Sequence, residues 1–169
     1  GEVVAWESLA IVEYLAERHP GVWPEDAKAR NYARSAASEM HAGFSALRNI
    51  CGMNCGARVK LHQYPAGLEK DVKRIDALWR QGLTEFGGPF LAGKNFTAVD
   101  AFFAPVAFRI QTYGLELSAP AMAYAKHLLA LPGMQSWYQA ALAEPWRDAE
   151  HEAEMRAAGE LVADLRLAQ

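Results

Sequence analysis

Two cysteines, Cys51 and Cys55, are all that the chain contains. That is too few for a disulfide framework, so the fold must rest on a packed core rather than on covalent staples. No apolar run approaches the ~20 residues that a bilayer span needs, and no basic segment leads into an apolar signal core at the start. A cytoplasmic protein is expected. Charge of one sign is also lacking: 17 Lys and Arg stand against 20 Asp and Glu, for a formal net charge of -3, and the basic residues are scattered rather than striped. Binding to nucleic acid or to a membrane is not expected of such a surface. Beyond the first few residues no period-two apolar alternation is evident, which argues against a sheet and for an all-α domain.

What is present fits one well-buried globular core. The 169 residues are 51% hydrophobic and 22% charged, and the mean hydropathy of -0.11 is ordinary for that class. The cysteines have His41 and His62 as sequence neighbours, but a Cys-x3-Cys spacing broken by Gly52 and Gly56 matches no common zinc knuckle. No metal is expected; Cys51 reads as a helix end and Cys55 as part of the loop after it.

The opening, Val4-Ala5-Trp6-Glu7-Ser8-Leu9-Ala10-Ile11-Val12-Glu13-Tyr14-Leu15, runs from a strand-like fragment through Glu7-Ser8 into a helix. The first amides of a helix have no intrahelical partners and carry partial positive charge, so Ser8 stands where a carboxylate would dock, although a serine there is also an ordinary N-cap. A strand needs neighbours and none follows, so the chain reads as a protein whose front is missing. His19-Pro20-Gly21-Val22-Trp23-Pro24 then marks a stop and an extended linker. From a cap at Asp26, apolar residues recur at helical steps to about Ile50, which predicts one long helix. A second stripe, Leu68 to Phe86, ends at Gly87-Gly88-Pro89 and should pair with it antiparallel.

Phe96-Thr97-Ala98-Val99-Asp100 contains a Thr-x-x-Asp capping box that starts a helix apolar nearly all round, Ala101 to Ile110, despite Pro105. Thr97 and Asp100 are assigned to folding. Further helices are expected from Ser118, from Met134 to Leu142, and around Pro145 to Ala158, with a short tail beyond Gly159. Trp79, Trp137 and Trp146 read as core or interdomain packing. Arg109, alone in an apolar helix, must either pair with a carboxylate or face a cavity, and the ion pair is the simpler reading. Tyr113, one turn later, offers a hydroxyl to substrate or simply packs. His41 lies beside Met40 and Phe44, a placement that suits the mouth of an apolar pocket.

Three passages together resemble the glutathione transferases of the bacterial, cytosolic kind: Trp6 to Leu15, Ser38-Glu39-Met40-His41-Ala42-Gly43-Phe44, and Leu91-Ala92-Gly93-Lys94-Asn95-Phe96-Thr97-Ala98-Val99-Asp100. Their order and spacing are similar to the family's over about residues 2 to 157. The resemblance implies that residues 1–22 are the last strand and helix of a thioredoxin-like domain, 23–158 an all-helical C-terminal domain, and 159–169 a tail. It implies glutathione as co-substrate at Glu7 and Ser8, with Glu39 reaching the glutathione of the other subunit of a homodimer. It also implies an electrophile pocket of Met40, His41, Phe44, Arg109 and Tyr113. In beta-class members a matching histidine reaches toward the glutathione sulfur, which makes His41 an assisting residue; the lysine that often follows it is here Ala42. The thiol-activating residue of the family lies upstream of the stretch matched, so this chain alone is expected to conjugate poorly or not at all. The implied activity is attack of glutathione thiolate on an electrophilic carbon. Isomerisation of a maleyl-type ketone, reduction of a glutathione mixed disulfide, and a non-catalytic interaction module are the alternatives.

Overall fold

The computed structural model describes residues 3–166. The first two residues of the expected remnant and the last three of the expected tail lie outside the described residues. Among the described residues eight helices and two strands follow in the order α1 (Ser8–Ala16), α2 (Ala27–Ala42), α3 (Ser45–Ile50), β1 (Ala57–Leu61), α4 (Ala66–Phe86), α5 (Ala98–Tyr113), α6 (Ala119–Ala130), α7 (Pro132–Ala143), α8 (Ala149–Ala158) and β2 (Gly159–Asp164). The fold is predominantly helical. No described helix is long and apolar enough to cross a membrane.

The chain divides into two compact units. The first joins the residues up to Gly43 to Leu78–Phe103, and the second joins Phe44–Ala77 to the residues from Ala104 onward.

In the first unit, α2 presents Ala29, Ala33, Ala36, Ala37 and Met40 to the core at three- and four-residue steps. Small side chains allow close approach, and the C-terminal half of α4 takes advantage of it. The Tyr32 hydroxyl donates to the Leu78 carbonyl at 2.8 Å and Lys28 pairs with Glu85, so the two helices run antiparallel there as expected. Trp79 is fully buried, edge-on to Phe103 with ring centroids 5.7 Å apart. Asp100 is likewise fully buried and anchors the turn ahead of α5: its carboxylate accepts from the amides of Thr97 at 2.9 Å and Leu91 at 3.0 Å, and from the Thr97 hydroxyl at 3.3 Å. The capping signal is therefore real, and it also ties down the loop before it.

In the second unit, Phe108, Ala104, Met134 and Cys55 form a buried cluster closed by Leu129, Leu131, Tyr138 and Ala141. Antiparallel β1 and β2 pair from Ala57 with Asp164 to Leu61 with Gly159, with a bulge where the register shifts between Arg58 and Val59.

Four expectations are corrected. Among the described residues no strand precedes α1, since residues 3–6 have no regular secondary structure and the described strands pair only with each other. The helix expected to reach Ile50 ends at Ala42: Gly43 leaves the helical region, and Phe44 takes φ +57° before α3 begins, turning its ring into a site only 6% exposed. A sheet does exist, and the stretch from Gly159 expected as a tail is one of its strands. Five alternating residues in β1 were too short a signal beside long helical stripes. Finally, Trp146 is 67% exposed and Trp137 42% exposed, so of the three tryptophans only Trp79 is core.

Candidate functional site

The N-terminus of α1 gathers three of the residues singled out by sequence. Glu7 precedes the helix at φ +67°, a backbone region that a non-glycine residue adopts at some cost and that often accompanies function. Ser8 is the first helical residue rather than the cap itself, and no N-cap side chain occupies the amides of the first turn. His41, on the last turn of α2, places Nδ1 3.0 Å from the Ser8 hydroxyl and Nε2 3.4 Å from the Glu7 carboxylate. A carboxylate only accepts, so Nε2 is the nitrogen suited to carry hydrogen toward Glu7, and Nδ1 then accepts from the Ser8 hydroxyl. The pairing of α1 with α2 is fixed one turn further on by Arg34, which grips both oxygens of Glu13 at 2.8 and 2.7 Å. That bond holds the Glu13 carboxyl below its usual range.

Chemically, this corner offers free helix amides, a hydroxyl, a carboxylate and an imidazole within one small exposed surface. It is suited to a zwitterionic ligand end, with amides and hydroxyl for a carboxylate and Glu7 for an ammonium. Met40 is buried in the core beside this corner, and Glu39 is half-buried on α2.

Arg109 and Tyr113 stand together on α5 in the second unit, facing the loop after α3. Arg109 Nε donates to the Cys51 carbonyl at 2.8 Å and Tyr113 donates to the Gly52 carbonyl at 3.1 Å. The expected ion pair of Arg109 is not formed: among the described residues it contacts carbonyl and thioether acceptors and no carboxylate. Burial depresses its pKa, with Arg48 adding to the effect, and burial pushes the Tyr113 phenol up to about 12, leaving it a donor. Sequence reading missed two members of this loop clamp. The Thr112 hydroxyl donates to the Asn54 carbonyl, and the Asn54 side chain accepts from the amides of Gly56 at 3.0 Å and Ala57 at 2.9 Å. An Asn before Cys-Gly is a turn signal that would have found the second of these.

Neither cysteine is poised as a nucleophile. Burial first of all raises Cys51 to about 12 and Cys55 to about 11, so both are thiols at neutral pH.

Residues 25–140 match the glutathione S-transferase, C-terminal domain family. A probable maleylacetoacetate isomerase of Caenorhabditis elegans is 28% identical over 127 residues, covering 70% of this chain and 56% of that protein. The chain thus spans little more than half the length of this curated relative. With the greater part of the sequence inside the family match, and with the helical architecture and buried capping box described above, the chain belongs to the glutathione S-transferase C-terminal domain family.

Proposed function

We propose that the protein takes part in glutathione chemistry, with the α1 N-terminus holding the γ-glutamyl end of the tripeptide. The observation that carries this reading is the convergence of Glu7, Ser8 and His41 on one uncapped helix end. The ligand's α-carboxylate accepts from the first-turn amides and the Ser8 hydroxyl, and Glu7 faces its ammonium group. His41 acts on the γ-glutamyl end through Ser8 rather than on the sulfur, since its ring is engaged with Ser8 and Glu7. Thiol activation is assigned to a residue outside this sequence, and Glu39 to the other subunit of a cytoplasmic homodimer. The reaction proposed first is formation of a carbon–sulfur bond between glutathione thiolate and an electrophilic carbon, with release of the leaving group. Residues 1–22 then belong to the glutathione-binding domain and 23–158 to the helical one.

A second reading is favoured by the maleylacetoacetate isomerase among the relatives. There the thiolate adds reversibly to a carbon–carbon double bond, the single bond so made rotates, and elimination restores thiolate and the other geometrical isomer. Both readings share the glutathione site and differ in the fate of the adduct.

Calorimetric titration of the protein with glutathione tests the shared part. Ser8→Ala removes a charge-assisted hydrogen bond and is expected to weaken binding about tenfold or more; affinity indifferent to that change defeats the proposal and favours a non-catalytic interaction module. A chloronitrobenzene and maleylacetone, offered in parallel to an active preparation, separate conjugation from isomerisation.

A further inference from the structure

The second unit holds a cavity of about 400 Å³ between the 52–56 loop, α7, the 144–148 segment and α8. That is within the range of small-molecule pockets, ~300–1,000 Å³. Its aromatic walls are Trp137, Trp146 and Tyr113, and two of these are unusual for their type. Trp146 is 67% exposed and Trp137 42% exposed, although indoles are normally well covered. The Trp137 ring is held in place edge-on to Phe108, with centroids 5.0 Å apart.

The charges around the cavity are unevenly spent. Arg166 is consumed by Glu152 and Asp164, bonding Glu152 at 2.9 Å through Nη2 and Asp164 at 2.8 Å through Nε. Asp148 is consumed as the cap of α8, accepting from the amides of Glu150 and His151, and it also faces the His151 ring. The Arg147 guanidinium donates to the Glu144 and Trp146 carbonyls. Glu144 and Glu154 line the same cavity, and among the described residues neither carboxylate has a hydrogen-bond or ion-pair partner. The negative charge of Glu144 is felt at Cys55, also in the lining, where it adds to burial in raising the thiol. The lining sets the carboxylates of Glu144, Asp148, Glu152 and Glu154 against the guanidinium groups of Arg147 and Arg166, an excess of negative charge that favours a cation over an anion beside the two indoles.

We propose that this cavity is a second binding site, for a small organic cation with an apolar or aromatic body, its charge set between Trp146 and the carboxylates of Glu144 and Glu154. The site shares Tyr113 with the electrophile pocket that the resemblance implies, and its test uses neither glutathione nor an enzymatic activity.

The test titrates the whole 169-residue chain with benzyltrimethylammonium, and in parallel with benzenesulfonate, by tryptophan fluorescence and by calorimetry. Saturable binding of the cation and none of the anion is expected. Trp146→Ala, and separately the double change Glu144→Gln with Glu154→Gln, should each weaken cation binding about tenfold. All three side chains are exposed, so circular dichroism and the urea midpoint should match those of the parent protein. The proposal is overturned by the absence of saturable cation binding, by equal binding of benzenesulfonate, or by an affinity that neither folded variant changes.

Discussion

Asp100 is the residue whose role is set most completely by its surroundings. A fully buried carboxylate survives only with its lone pairs filled, and the amides of Leu91 and Thr97 fill them. Asp100→Ala leaves both amides buried without a partner and should cost about 3 kcal/mol in urea unfolding, with Asp100→Asn costing less because one oxygen remains. The cysteines make the opposite point. Cys51 is fully buried and Cys55 8% exposed, with thiol pKa values raised to about 12 and about 11. An aromatic disulfide reagent at pH 8 should therefore modify both slowly in the native protein and rapidly in denaturant; a fast native reaction would contradict this placement. Thr97, Asp100 and the cysteine positions were legible in sequence, because each answers to a local rule of capping or of helix ends. The partner of Arg109 was not, since an arginine in an apolar helix announces only that its charge needs an acceptor. The Cys51 carbonyl, 58 residues away, supplied it.

At the scale of elements, glycines decide what helical periodicity leaves open. Periodicity carries from α2 into α3 without a break, yet at Gly43 a Cβ would stand 2.7 Å from the Glu39 carbonyl oxygen. Inside α4, a Cβ on Gly82 would stand 2.5 Å from both the Leu91 carbonyl and the Tyr32 hydroxyl oxygen. Gly82→Ala gains about 1 kcal/mol of helix propensity and should still destabilise the protein, because overpacking of this kind costs about 1–3 kcal/mol. A stabilised variant in thermal unfolding would refute that close approach. The pairing of α8 with β2 depends on Arg166, whose two partners, Glu152 and Asp164, have carboxyl groups held below their ordinary range by its guanidinium, Asp164 at about 2. Depressed carboxyl pKa values contribute stability that is present above the unfolded value and lost as pH falls through the folded one. The urea midpoint should consequently drop between about pH 4 and pH 2, and Arg166→Ala should flatten that part of the profile.

For the molecule as a whole, the helical domain carries the family and one corner carries the proposed ligand. Addition of a chloronitrobenzene and glutathione to this chain by itself should give little or no conjugate, since thiol activation is assigned elsewhere. Turnover at ordinary transferase rates would overturn that assignment. Sedimentation is the direct measure of the proposed homodimer. At the corner proposed for glutathione, Glu7, Ser8 and His41 were each named beforehand, and the structure places His41 3.0 Å from the Ser8 hydroxyl and 3.4 Å from the Glu7 carboxylate. What could not be read was the direction of His41. Its neighbours along α2 said only that it lay near apolar residues, and its engagement with Ser8 depends on where α1 docks.

Sequence by itself determined the helical class, the starts of α2, α5 and α6, and the stop before Trp23, because caps, prolines and apolar spacing act within a few residues of where they stand. Tertiary structure alone decided the break at Gly43 and Phe44, the pairing of β1 with β2, and the loop clamp built by Arg109, Thr112 and Tyr113. Each of these joins groups far apart in the chain or depends on how much room a neighbour leaves. A pattern along one segment carries no information on either.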